Sequence, residues 1–572
     1  MLYVGTAAWP ALVDDDIDAA HALVAREMLE RHDWVVLYQD GIRYPIRPPL
    51  HFWLIAASYE LFGQTAFATR LPVALAVVGL VLLTFAFGRR FLGERAGLYG
   101  ALAVATSPGI FFFTRTVIPE AIYAFEFVAI FYLFLRSWTG SLDRRLGYPS
   151  AAAVCGLAVL TRGPIGFLFP AASIAVFLLA TGGWRRWREL RLLPSAAVFF
   201  AVAVPWHVLA ERRSPGFAWA YFVNEHVLRA LGRREPHDYS AVPLGLWLLE
   251  HAIWLFPWSV FVVLVPKLCP HPRSWKSETS PEAQARLLLF VWTAVIVGFF
   301  SLEGGSRMEY YSFGAWPAMA LLLGVGLARS EERNESAPRR LALALAIAAA
   351  VYAAASVAFV AAMGSVGGDI TADLESRGAD LYRSAMARAL DLTPRALADL
   401  RAPLLLSAGG VLVGFVAAWR LRRRGRAVPA TVAMAAGMAV VLAASELAYD
   451  DLSPSLSSRT LAERLNPELR PSDLVALYGD IRVAPGIAFY CHRRVLLYDA
   501  RQTNLRYGSR YADAPKTLYD DEEFLRLWSG PDRVILIVPA DRNAEARERL
   551  PAGSFRELAA AGGKTAYVNR AG

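Results

Sequence analysis

The chain has 572 residues, 56% of them hydrophobic and only 19% charged, with a mean hydropathy of +0.35, which excludes a single water-soluble core as the main architecture. Its formal charge of +9 is spread over alternate loops, a pattern that membrane orientation explains and nucleic-acid binding does not. The three cysteines, Cys155, Cys269 and Cys491, fall in an apolar run, a basic loop and the tail, so neither a disulfide framework nor a thiolate metal site is available.

Residues 1–13 are too short, and lack the basic start, for a cleavable signal peptide. The first region, 1–63, is expected to face outward. Asp14, Asp15, Asp16 and Asp18 stand before a segment in which Ala20, Leu23, Val24 and Met28 follow helical spacing while Arg26, Glu27, Glu30 and Arg31 take other faces. That pattern predicts an amphipathic helix lying in the membrane interface. Helix capping and the first-turn dipole account for one or two of the acids. Four within five residues exceed that need, and a carboxylate here could serve as general base on an acceptor hydroxyl. Next, YPIRPPLHFW sets Arg47 before two prolines that fix the approach to a second interfacial helix over 48–63, with Trp53 and Tyr59 as headgroup-level anchors. Arg47 could simply snorkel; a rigid guanidinium in the membrane plane is also suited to a lipid phosphate.

From 64 to 449 the chain reads as a transmembrane helical bundle. Apolar runs at 71–88, 96–113, 117–135, 148–161, 163–182, 192–210, 241–266, 287–302, 313–328, 341–363, 402–419 and 427–446 predict about twelve helical spans. About 20 apolar residues cross the hydrocarbon, and unpaired backbone cannot face lipid. Basic loops such as those at Arg89–Arg90, Arg144–Arg145 and Arg420–Arg426 fall on one side, the cytoplasmic side by the positive-inside rule.

At the opposite ends of the spans, acids and arginines recur. Glu120 opens one span, with Glu126 deeper in it; Arg162 occupies a short connection within LTRGPIGFLFP. FVNEHVLRALGRREPH carries Glu225, His226 and Arg229, and EGGSRMEYYSFGAWP carries Arg307, Glu309, Tyr310 and Tyr311. Glu225 and His226 could give a divalent cation two ligands, short of a complete site, and no other cofactor is expected. The tail, 450–572, changes to soluble grammar. Candidate strands VALYGDI, IAFYCHRRVLLYD and VILIVPA alternate with helical stretches near 457–466, 520–529 and 543–550, predicting a small α/β domain without a Gly-rich phosphate loop.

Taken together, the outer acids and arginines predict a bipolar cavity in which arginines hold a phosphate leaving group while a carboxylate takes a proton from the nucleophile. A membrane transporter or lipid flippase would use similar residues near the midplane, with gates on both sides. A noncatalytic scaffold would have little use for the Asp cluster and Arg47.

The order of motifs resembles the bacterial GT-C glycosyltransferases related to the lipid A aminoarabinose transferase and the protein O-mannosyltransferases. DDDIDAAHALVAREMLERHDW is similar to that family's first outer loop, YPIRPPLHFWL to its KPPL-type element, LTRGPIGFLFP to its LTKGP element and SRMEYYSFGAWPAMALL to its late K-x-x-Y segment, over roughly residues 14 to 330. The resemblance implies a multi-pass protein of the bacterial inner membrane, a polyprenyl-phosphate sugar donor, a lipid, glycan or protein acceptor, and inversion at the sugar carbon. It implies an active site and tail on the outer side. By position it makes Asp15, Asp16 and Glu120 the catalytic acids and Arg47, Arg162 and Arg307 the donor-phosphate ligands. His226, Arg229, Tyr310 and Tyr311 become substrate contacts. Arg replaces Lys at all three basic positions, changing reach and fork geometry. Ile46 stands where many relatives carry an acid, and relatives have a spanning helix before the acidic loop, so about one helix is expected to be missing from the start.

Overall fold

The computed structural model describes residues 2–14, 17–236, 241–269, 271–363, 398–500 and 503–569. The segment up to residue 63 contains helix α1 (Asp18–Glu30), a hairpin of β1 (Tyr38–Gln39) and β2 (Ile42–Arg43), and helix α2 (Leu50–Phe62). The hairpin turns on Asp40-Gly41, both at positive φ, which is the geometry a two-residue antiparallel turn requires.

The bundle follows as α3 (Ala66–Phe91), α4 (Glu94–Thr106), α5 (Pro108–Arg115), α6 (Glu120–Trp138), α7 (Arg144–Arg162), α8 (Ile165–Thr181) and α9 (Leu192–Arg213). It continues through a π-helical segment, Trp219–Leu228, into α10 (Leu244–Trp254), α11 (Pro281–Leu302), α12 (Trp316–Glu332), α13 (Ala337–Met363), α14 (Arg401–Arg423) and α15 (Ala427–Leu456). Among the described residues, eight helices are long and apolar enough to cross a membrane. Two bent pairs, α4 with α5 at 44° and α10 with Trp258–Leu264 at 105°, raise the number to ten. Prolines stand at both breaks: Pro108 and Pro257 lack the N–H that would continue a helix. Ten of the twelve expected runs thus meet this measure of length and apolarity, and the other two, α7 and α8, fall short of it. The run at 163–182 forms α8, whose 17 residues reach only about 26 Å against a hydrocarbon core of about 30 Å. The run at 148–161 lies inside α7, which begins with two arginines and ends on Arg162. Small residues let helices approach closely, as where a Cβ on Gly414 of α14 would lie 2.6 Å from the Cα of Gly437 of α15.

After α15, the tail contains α16 (Arg459–Leu465), β3 (Leu474–Tyr478), α17 (Pro485–Tyr490), β4 (Val495–Tyr498), β5 (Leu518–Tyr519), α18 (Asp521–Ser529), β6 (Val534–Pro539), α19 (Asn543–Arg549), β7 (Arg556–Ala561) and β8 (Lys564–Val568). The sheet order is β5-β4-β3-β6-β8-β7. β3 runs parallel to β4 and β6, with Val475 opposite Val495 and Ile535, and β8 runs antiparallel to β6. Every residue of β6 is buried, the pattern of a central strand covered on both faces. The apolar residues 487–490, read as strand, are helical instead: Pro485 starts α17 at its first position, and a four-residue apolar run does not itself choose between the two forms.

The structure corrects the placement of α1. It does not lie against lipid; nearly all of it is buried. Ala19, Ala22 and Ala25 join the core of the bundle, while Leu23, Val24 and Met28 join the core of the tail. Arg26 donates to the carbonyls of Ala488 (3.1 Å) and Phe489 (2.9 Å) at the end of α17. Tyr59 is likewise buried, sharing a 2.7 Å hydrogen bond with Thr69, and is no headgroup anchor. The exposed Leu54, Leu61 and Phe62 keep α2 suited to an interface.

Candidate active site

The acids of the first loop divide. Asp14 Oδ1 accepts the Gly486 N–H (2.9 Å), and its Oδ2 accepts the Ser458 hydroxyl (2.5 Å) and pairs with Lys564 at 2.9 Å. Asp18 Oδ2 pairs with Arg70 (2.7 Å) and accepts the Val13 N–H (2.8 Å); both side chains are fully buried. These two acids hold structure. Asp15 and Asp16, the acids expected to act, lie outside the described residues.

Arg47, entering α2 behind its two prolines, places Nη1 3.6 Å from Glu225 Oε1. Glu225 also pairs with Arg229 one helical turn on and with Arg234 Nε at 2.6 Å. Burial pushes the Glu225 carboxyl up, but the guanidiniums of Arg229, Arg234 and Arg47 outweigh it and hold it down at about 2. Beside this group, Arg162 at the end of α7 meets Glu120 at the start of α6, Nη2 to Oε1, at 2.7 Å. The charge of Arg47 reaches both Glu120 and Arg162, and Tyr310 and Tyr311 stand close enough to act on Arg162. Elements far apart in sequence thus meet in one charged cluster.

Three histidines border it. His21 of α1 lies edge-to-face on His51 of α2, ring centroids 5.2 Å apart, and its Nδ1 is 2.9 Å from the Val117 carbonyl. Burial holds the His21 ring well below the usual imidazole range, helped by His51 and Arg47, and takes His51 to about 3. His226 is also lowered by burial; its Nδ1 is 2.6 Å from the Tyr221 carbonyl. All three are therefore neutral near pH 7 and add no charge to the cluster.

Gly163, next to Arg162, has φ +81°, and a Cβ there would lie 2.6 Å from the Tyr221 hydroxyl and 2.7 Å from His226 Nε2. Gly163→Ala is expected to destabilise the fold by about 1–3 kcal/mol through backbone strain and crowding. It should also displace Arg162 and His226. A thermal melt matching that of the unaltered protein would contradict this.

Arg307 is not brought to the cluster's ion pairs. Its guanidinium donates to the carbonyls of Phe300 (2.9 Å), Glu303 (2.9 Å) and Val242 (3.1 Å), closing the end of α11 and fastening the residues just before α10. Glu126 accepts the Thr161 hydroxyl at 2.8 Å. The metal expectation also changes: Glu225 is held by three guanidiniums, which repel a cation, and among the described residues no three His, Cys, Asp or Glu side chains gather to hold one.

The chain is similar to several known proteins. A family model described as dolichyl-phosphate-mannose-protein mannosyltransferase matches residues 46–208. The undecaprenyl phosphate-alpha-4-amino-4-deoxy-L-arabinose arabinosyl transferase of Pseudomonas paraeruginosa is 26% identical over 337 residues, which span 56% of this chain and 56% of that protein. The protein of the same name from Edwardsiella ictaluri is 24% identical over 539 residues, 92% of this chain and 89% of the relative. The crystal structure of ArnT from Cupriavidus metallidurans bound to undecaprenyl phosphate superposes with a TM-score of 0.81 at 22% identity, covering 100% of this chain and 96% of that one. The fold is that of the aminoarabinose-transferase type of GT-C glycosyltransferase. It is a multi-pass fold of the inner membrane, with the tail as its small sheet domain.

Within this GT-C fold, sequence reasoning missed His21, His51, Tyr221 and Arg234. Arg234 was legible in principle, because RREPH adds a cation five residues after Arg229. Its use is decided by a tertiary contact: besides Glu225 it donates to Asn504 Oδ1 of the tail at 2.8 Å. His21 sits on a helix whose pattern gave no sign that both faces would be covered.

Proposed function

We propose that this protein transfers a sugar from a polyprenyl-phosphate donor to a hydroxyl of a lipid acceptor at the outer face of the inner membrane, with inversion at the sugar carbon. The observation that carries this reading is the gathering of guanidiniums at one place. Among the described residues, Arg47, Arg162, Arg229 and Arg234 stand around Glu120 and Glu225, beside neutral histidines. A phosphate that becomes a dianion as it leaves suits such a concentration of cationic donors. Arg47 and Arg162 are the proposed phosphate ligands, since a guanidinium has five N–H donors and a carboxylate partner engages only part of them.

In the reaction proposed, Asp15 or Asp16 accepts the proton of the acceptor hydroxyl as its oxygen bonds to the sugar carbon. The bond from that carbon to the phosphate oxygen breaks, and its electron pair leaves with the polyprenyl phosphate. Stabilising the departing oxygens is the electrostatic share of the work. His226, Arg229, Tyr310 and Tyr311 are proposed to bound the sugar and acceptor. Arginine-rich loops at the opposite ends of the spans support an outward-facing site. A lipid acceptor is favoured by the lipid A aminoarabinose-transferase type of the fold.

The reading is tested with purified protein in detergent or liposomes, given undecaprenyl-phosphate-linked aminoarabinose and a lipid acceptor. Free undecaprenyl phosphate should be released only when both are present. Transport of the intact donor across the bilayer with no glycosylated product would favour a flippase instead.

A further inference from the structure

Outside the charged cluster, Asp14 is buried and tied through both oxygens of its carboxylate. All three partners of its carboxylate come from the far end of the chain. Ser458 follows α15, Gly486 opens α17 and Lys564 opens β8, and the Asp14 N–H donates to the Leu456 carbonyl at 2.8 Å. The pocket is shaped for this carboxylate: a Cβ on Gly486 would lie 2.6 Å from Asp14 Oδ1. Asp14 and Lys564 are exposed by only 2% and 7%. A buried lysine in a sheet domain is expensive unless it meets an opposite charge, and the charge it meets belongs to another part of the molecule. Four residues on, Asp18 is anchored independently. Arg70 of α3 pairs with it and donates to the carbonyls of Pro10, at 2.5 Å, and Ala11, at 3.2 Å. Asp14 is thus a post set in the tail, and Asp18, four residues on, a post set in the bundle.

We infer that Lys564 and Ser458 of the tail are positioning residues for the sugar transfer: they fix Asp14 and so set the place of the two acids beside it. This rests on the proposed role of Asp15 or Asp16. It gives the tail a part in the chemical step without any contact to the substrates. The clamp acts on the base and not on the phosphate ligands, so its loss should lower turnover while leaving the apparent affinity for donor nearly unchanged.

The test compares Lys564→Met, Ser458→Ala and the paired Asp14→Asn/Lys564→Gln variant in purified full-length protein. The pair removes both buried charges while keeping hydrogen-bonding side chains of similar size. Lys564→Met is expected to reduce kcat at least tenfold with donor KM within twofold, and Ser458→Ala to reduce it severalfold. The paired variant should recover most of the loss. Hydrogen exchange gives a readout independent of activity: the amides of Val13 and Asp14 should exchange faster in Lys564→Met than in the paired variant. Full turnover in Lys564→Met, or a loss matching only the fraction of unfolded protein, overturns the inference. If Lys564→Met does not fold, full turnover in Ser458→Ala overturns it equally. An inactive unaltered protein would instead refute the transferase reading, and unchanged exchange would then refute the clamp separately.

Discussion

Glu225→Gln is expected to lower the stability of the purified protein by about 3–5 kcal/mol, the usual cost of removing one partner from a buried ion pair. The reason is specific. Glu225 is the common anion of Arg47, Arg229 and Arg234, and a glutamine can satisfy one of their hydrogen bonds but none of their charge. The donor KM should rise at least tenfold, because Arg47 loses the carboxylate that orients it. Acid titration supplies a second measurement. The Glu225 carboxyl is held at about 2 in the fold against its ordinary 4.5, so its contribution is complete above pH 4.5 and is lost as pH falls through 2. That depression corresponds to about 3 kcal/mol at neutral pH. The stability gap between the unaltered protein and Glu225→Gln should therefore shrink by about half between pH 5 and pH 3. A gap that stays constant over that range would mean that Glu225 does not bind the three arginines as a carboxylate.

The second large effect is expected at Arg162. Arg162→Ala should reduce turnover by about 10²–10³, comparable with losing one fixed donor to a developing negative charge. It also strands Glu120, which is 1% exposed and would keep its charge only at a high cost. Glu120→Gln in the Arg162→Ala background should therefore restore folding yield without restoring turnover. Arg162→Lys should fall between, because lysine keeps the charge and loses the two-pronged geometry. Single-turnover release of undecaprenyl phosphate measures all three. If Arg162→Ala loses folded protein and turnover in equal proportion, the residue is a structural partner of Glu120 and no more.

The membrane fold was readable because lipid leaves so few choices. Long uncharged runs such as 71–88 and 341–363 must be helical, and they are. The two expected spans that stand out least are α7, for its flanking arginines, and α8, for its short reach. Of the site, Glu120, Arg162, Arg47 and Glu225 were each visible as charges too costly to place idly at the ends of spans. Their pairing was not visible, since Glu120 meets Arg162 across two different helices and Arg47 meets Glu225 across nearly 180 residues. Arg307 shows the converse. Its sequence setting resembled that of Arg162, yet its Nε and Nη1 donate to neighbouring backbone carbonyls and not to a carboxylate. A linear pattern reports that a guanidinium is needed, and the surrounding backbone decides for what.

Helix α1 was misplaced for a reason that has a consequence of its own. Its Leu23, Val24 and Met28 are covered by strands and helices that include residues 461–568, which a ribosome delivers after the bundle. Through most of synthesis that greasy stripe has no protein to rest on, and the lipid headgroup layer is the shelter its pattern suits. The arriving tail then covers that stripe. An amphipathic signature in a finished membrane protein can thus record where a segment waited and not where it finally resides.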